Sequence, residues 1–208
     1  MRIIAGEFRG RSILPPAGDA TRPITDRAKQ SLFDVLAPRL DDSLVYDCFC
    51  GTGSLGLESL SRGAKFCTFF DSHRQALARL TQNITNLRVT ERSRIVPGDL
   101  FKWFNLAATR PDAATVTGAD IVFLDPPYRF LQTQTDELLQ LAFYLAEQHI
   151  RPDGVMVFRH DGRDKLILPR FEAFDVREYG DMTIELLRAL PPVVDDAPTA
   201  PRPAEASP

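Results

Sequence analysis

The sequence predicts an α/β fold: a mostly parallel sheet with helices on both faces. Three observations carry that prediction. From Leu44 onward, short continuous apolar runs alternate with segments of helical periodicity. Those runs lack the two-residue alternation of a half-exposed sheet, so both of their faces should be covered. Near the end, two β-prone runs meet around Gly180-Asp181, which adds a hairpin and one antiparallel strand at a sheet edge.

MRIIAGEFRGRSILPP reads as a short β-hairpin turning around Gly6 and Gly10. A helix begins near Thr25. Ala28, Leu32, Val35 and Leu36 recur at helical spacing, and Pro38 stops it. Residues 44–48 form a strand, and 54–62 a helix closed by Gly63. Residues 66–70 form a buried strand. A helix over 72–87 places Ala76, Leu80, Ile84 and Leu87 on one face. A short strand over 94–97 and a helix over 100–107 follow. Residues 121–124 form a strand, 138–149 a helix and 154–158 a strand. Residues 174–179 and 182–187 make the closing hairpin. Residues 1–40 are thus a hairpin-and-helix extension, and 41–190 are the main domain. The Pro/Ala-rich tail 191–208 lacks aromatics and is expected to be disordered.

Composition narrows the class. A chain of 208 residues can bury one full core. No apolar run approaches the roughly 20 residues that span a bilayer, and the charged N-terminus does not read as a signal peptide. The three cysteines, Cys48, Cys50 and Cys67, show no C-x-x-C spacing, so neither a disulfide framework nor a zinc site is expected. A reduced, cytoplasmic protein follows. Residues 1–30 carry six cations against three acids, a net +3 on a chain whose total is −3. Such a segment is either a nucleic-acid footprint or a solvated face, and charge alone leaves both open.

The glycine loop carries the first chemistry. In LVYDCFCGTGSLGLESLSRG, Gly51, Gly53 and Gly56 stand between a strand and a helix, where tight turning and close ligand approach need glycine. Asp71, with Ser72 beside it, ends the next strand, where a carboxylate can accept ribose hydroxyls. A dinucleotide or S-adenosylmethionine would fit. Asp47, four residues before Gly51, favours the ligand with positive charge and repels a pyrophosphate. Asp99 follows the third strand. Its carboxylate can accept an adenine amino group, with the Leu100 N–H as a neighbouring donor, and it can also cap the next helix.

The run IVFLDPPYRF carries the second. The carboxyl end of a strand is where ligands bind in open α/β sheets. Two prolines stiffen the turn and leave the Asp125 side chain and the Pro126 carbonyl as acceptors. Those acceptors suit the two hydrogens of an exocyclic nucleobase amine, whose lone pair would then face a methyl donor. Tyr128 offers a face on which an extruded base can stack.

With these motifs in place, the sequence resembles the RsmD family, bacterial 16S ribosomal RNA guanine-N2 methyltransferases that use S-adenosylmethionine. MRIIAGEFRGR, TRPITDRAKQSLFDVL, DCFCGTGSLGLESLSRGA and VFLDPPY carry the likeness in the family's order, over roughly residues 1–188. The resemblance implies a Rossmann-like class I methyltransferase with a seven-stranded sheet. It implies that Asp47, Cys50, Gly51 and Gly53 meet the methionine end of the cofactor. Asp71 and Ser72 would meet the ribose, Asp99 and Leu100 the adenine, and Asp125, Pro126 and Tyr128 the target base. Arg9, Arg11 and Arg22 would engage RNA. The expected partner is 16S ribosomal RNA, naked or within a small-subunit particle, met by a monomer without metal or membrane.

Three positions depart from the family pattern. Cys50-Gly51-Thr52-Gly53 replaces the commoner Ala-Gly-Ser-Gly, Asp71 stands where Glu is usual, and Phe158-Arg159-His160 stands where many members end in a carboxylate. Two other functions compete: an adenine-N6 methyltransferase on DNA or RNA, and a nonenzymatic RNA-binding protein that has lost its cofactor. His73, His149 and His160 are too scattered to form a site and are read as surface or structural.

Overall fold

The computed structural model describes residues 1–16, 24–107 and 118–191. Seven strands form one sheet: β1 (Leu44–Cys48), β2 (Phe66–Asp71), β3 (Ser93–Pro97), β4 (Ala119–Leu124), β5 (Ile150–Asp161), β6 (Phe171–Tyr179) and β7 (Met182–Ala189). Their order is β3-β2-β1-β4-β5-β7-β6. The pairs among β1 to β5 are parallel. The closing hairpin adds the antiparallel pairing, with β7 between β5 and β6 and β6 as the edge strand.

Alternate residues of each strand enter different cores. Val45, Phe69, Ile121, Phe123 and Val157 pack on one face with α1 (Asp26–Leu36), α2 (Ser54–Ser61) and α3 (Arg74–Leu87). Tyr46, Phe70, Val122, Leu124 and Phe158 pack on the other with α4 (Leu100–Ala107), the short α5 (Phe130–Thr133) and α6 (Thr135–Tyr144). Burial on both faces explains the unbroken apolar runs. The sheet order also decides where a ligand can bind. Chain connections run to opposite sides of β1 and β4, so the loops leaving these neighbours sit at a topological switch point.

The N-terminal segment forms the expected short hairpin: Arg2 bridges Ser12 antiparallel, and the N–H groups of Ile3, Gly10 and Ile13 donate to the carbonyls of Arg11, Ile3 and Met1 at 2.9, 3.0 and 3.0 Å. Its turn is anchored on α2. The backbone N–H groups of Ile4 and Ala5 donate to Glu58 at 2.8 and 3.0 Å, and that of Phe8 donates to Ser61 Oγ at 2.9 Å. Gly6 adopts φ +83°, and a Cβ there would lie 1.8 Å from the Ser61 carbonyl oxygen. Lys29 of α1 completes the joint. Its ammonium, almost fully buried, donates to the Arg2 carbonyl at 2.8 Å and pairs with Glu58 at 3.3 Å. Burial pushes the Lys29 pKa down, and Glu58 opposes that shift.

Other boundaries moved for local reasons. The helix expected from residue 72 starts at Arg74, because the His73 side chain caps it by accepting the Ala76 N–H at 3.3 Å. The helix expected over 138–149 starts earlier, as α6 from Thr135, and its last part is a π-helical turn, Leu145–His149. The strand expected over 154–158 extends over Ile150–Asp161.

Candidate active site

The register sets Cys48 of β1 beside Leu124 of β4, so the glycine loop and the Asp-Pro-Pro-Tyr loop leave the sheet side by side. The Asp125 N–H reaches back to the Cys48 carbonyl at 3.4 Å. Phe49 turns the chain at φ +60° and Gly51 at φ +55°. A Cβ on Gly51 would meet nothing within 4 Å, so the loop's backbone faces an open cradle that a side chain would occupy.

Carboxylates surround this cradle. Asp47, 1% exposed, accepts the Gly56 N–H at 2.8 Å, which ties β1 to the start of α2. Burial pushes its carboxyl well above the usual range, and the charges of Asp125 and Asp71 add to that. Asp71 accepts the N–H groups of Gly51 and His73, both at 2.7 Å. Its side chain, one methylene shorter than Glu, therefore reaches the glycine loop itself. Asp99 caps α4 by accepting the Phe101 N–H at 3.0 Å. The Leu100 side chain is buried, while its N–H belongs to the first helical turn, where donors lack intrahelical partners. Ser72 is exposed beside Asp71, and Cys50 is buried under the loop with its N–H on the Phe70 carbonyl at 3.0 Å.

In the second loop, Pro126 is buried and Tyr128 half-buried. The Pro127 and Tyr128 carbonyls accept the N–H groups of Phe130 and Leu131 at 2.8 and 3.1 Å as α5 begins. Among the described residues, no hydrogen bond takes the Pro126 carbonyl. It stays available as the acceptor the sequence suggested.

Two features escaped sequence reasoning. Arg159 Nε donates to Asp125 Oδ1 at 2.6 Å, with side chains 10% and 18% exposed. Burial pushes the Asp125 carboxyl up, and the guanidinium opposes it. Burial works against the Arg159 charge, and Asp125 more than offsets that. The signal lay in the register: Leu124 pairs with Phe158, so Asp125, just past β4, stands level with Arg159 within β5. The second feature is an aromatic cluster. Phe49, Phe101 and Phe130 sit 5.8 to 6.2 Å apart, joining the glycine loop, α4 and the Asp-Pro-Pro-Tyr loop.

The basic residues lie elsewhere. Arg9 and Arg11 are exposed, and Arg11 Nη2 donates to the Asn86 carbonyl at 2.6 Å in the last turn of α3. That turn leads into β3, so this patch lies toward the amino ends of the strands, away from Asp125. Arg22 lies outside the described residues. His160 bridges the Asp161 carbonyl and Glu185, and His149 is buried under Phe104. No group of three His, Cys, Asp or Glu among the described residues could hold a metal ion.

A family model described as "Conserved hypothetical protein 95" matches residues 1–188. The chain is 36% identical over 149 residues to Ribosomal RNA small subunit methyltransferase D of Escherichia coli, covering 71% of each chain. The chain belongs to the RsmD family. It is also 34% identical over 163 residues to YlbH of Bacillus subtilis, covering 77% of this chain and 83% of that one. The solved structure of yhhF from Escherichia coli matches with a TM-score of 0.76 at 27% identity, over 91% of this chain and 98% of that one. The RsmD-family likeness thus spans the N-terminal segment and both loops of the site.

Proposed function

We propose that this chain transfers a methyl group from S-adenosylmethionine to the N2 amine of a guanine in 16S ribosomal RNA. The observation that carries the reading is the switch point itself. It holds an open glycine cradle edged by carboxylates beside a stiff loop that offers two acceptors. Membership of the RsmD family supports ribosomal RNA as the substrate.

The residues present suit the cofactor. The open face at Gly51 admits a ligand against the backbone. Asp71 and Asp99 suit a ligand with hydroxyl and amino donors, and a cationic end would favour the charged form of Asp47, which burial otherwise disfavours. The glycine loop and Asp47 would hold the methionine end, Asp71 and Ser72 the ribose, and Asp99 with the Leu100 N–H the adenine. When bound, S-adenosylmethionine supplies an electrophilic methyl group.

The protein's own task is positioning. A guanine amine is a weak nucleophile because its lone pair is delocalised into the ring. Asp125 and the Pro126 carbonyl accept its two hydrogens and so direct the lone pair toward the donor. Tyr128 stacks on the base. Once methylated, the nitrogen is acidic enough to lose its proton to water, so no strong base is needed. The choice of guanine over adenine rests on the family, since these acceptors would grip either amine.

Mapping methylated guanines in ribosomal RNA from cells with and without the protein tests this. One N2-methylguanosine in small-subunit RNA should vanish with the protein. An unchanged map would contradict the reading.

A further inference from the structure

We infer that Arg159 is a positioning residue for the reaction, acting through Asp125 to fix which carboxylate oxygen meets the substrate amine and to keep that carboxylate charged. The inference rests on the reading of Asp125 as the amine acceptor.

Three observations support it. The contact is short and directional: Arg159 Nε meets Asp125 Oδ1 at 2.6 Å. It therefore occupies one oxygen and orients the carboxylate plane, which leaves Oδ2 for the amine. Both side chains are mostly buried, where a lone carboxylate would favour its neutral form. A protonated Asp125 would accept less well and could present a donor to the amine hydrogens. Finally, Arg159 is itself held. It ends the inner part of β5 opposite Ile184 of β7, and its Nη1 lies 3.8 Å from Met182 Sδ.

The surroundings raise the need for that cation. Asp47 on β1 and Asp71 at the end of β2 crowd carboxyl groups around the site, and the charges of Asp125 and Asp71 help to push the buried Asp47 toward its neutral form. Tyr128, on the same loop as Asp125, lies near enough to influence the guanidinium. Of these groups, Arg159 alone brings positive charge to the acids.

The test is single-turnover methyl transfer against pH for the wild type, Arg159→Gln, Arg159→Lys and Asp125→Ala, with cofactor affinity measured by calorimetry. Removing the guanidinium should move the acid limb of the Arg159→Gln profile up by about one to three pH units. The plateau rate should fall by up to about a hundredfold, with cofactor affinity within about threefold of wild type. Lysine keeps the charge and loses the fork, so Arg159→Lys should return the limb toward the wild-type position with a lowered plateau. In the Asp125→Ala background, Arg159→Gln should add little, because its route is gone. That double variant also leaves no unpaired buried carboxylate if Arg159→Gln alone folds poorly.

An acid limb that stays in place in Arg159→Gln, or full additivity of the two substitutions, would overturn the inference while leaving Asp125 in its role. Wild-type turnover by Asp125→Ala would instead remove the reading beneath it, and the inference with it.

Discussion

In the proposed reaction, Asp125 is the residue that grips the amine. Asp125→Ala should lower single-turnover methyl transfer by about a hundredfold or more, as loss of one aligned polar contact does in other sites. Cofactor affinity should stay nearly constant, and a matching loss of both would reassign the residue to cofactor binding. His149 offers an independent residue-scale test, of stability. It is 3% exposed, and among the described residues neither ring nitrogen has a hydrogen-bond partner. Burial pushes its pKa down to about 4 from an ordinary 6.5. The fold therefore favours the neutral ring. The associated stability is complete above pH 6.5 and is lost as pH falls toward 4, on the order of 3 kcal/mol in all. Urea unfolding of wild type and His149→Leu at pH 7 and pH 4 should show the wild type losing about that much more. Parallel losses would place the cause elsewhere.

At the scale of elements, the joint between the N-terminal segment, α1 and α2 converges on one side chain. Glu58 is fully buried and takes the Ile4 and Ala5 N–H groups, the Lys29 ammonium and the Arg62 guanidinium. Removing one partner of a buried ion pair leaves the other charge uncompensated, at a cost of about 3–5 kcal/mol. Glu58→Ala should lower the unfolding free energy by that amount in urea. A change below about 1 kcal/mol would show that water readily replaces these contacts. This joint was illegible in the sequence because the N-terminal segment and α2, which it ties together, are more than 50 residues apart. The local pattern showed the hairpin, whose arms pair through Ile3 and Ile13, but not that the N–H groups of Ile4, Ala5 and Phe8 at its turn are taken by side chains of α2. The two site loops were legible for the opposite reason. Each is a contiguous motif whose glycines or prolines set the backbone locally, and the alternating elements around them fixed their place at the sheet edge. Arg159 needed the pairing register as well as the motif, which a single strand does not display.

For the whole molecule, the active loops and the basic N-terminal patch sit toward opposite ends of the strands. Methyl transfer and RNA docking should therefore separate experimentally. Arg9→Ala with Arg11→Ala should weaken RNA binding and reduce the slope of log affinity against log salt by about 1–2, with cofactor binding unchanged. An unchanged slope would make these arginines part of an ordinary solvated face.

We propose that this site methylates a guanine amine in small-subunit ribosomal RNA. The most direct measurement supplies small-subunit RNA, naked and within particles, from cells lacking the protein. Isotopically labelled S-adenosylmethionine is added, and the digested nucleosides are identified by mass spectrometry. Labelled N2-methylguanosine, formed by wild type and absent with Asp125→Ala, is the predicted result. Label in N6-methyladenosine, or in no nucleoside of either substrate, would contradict it.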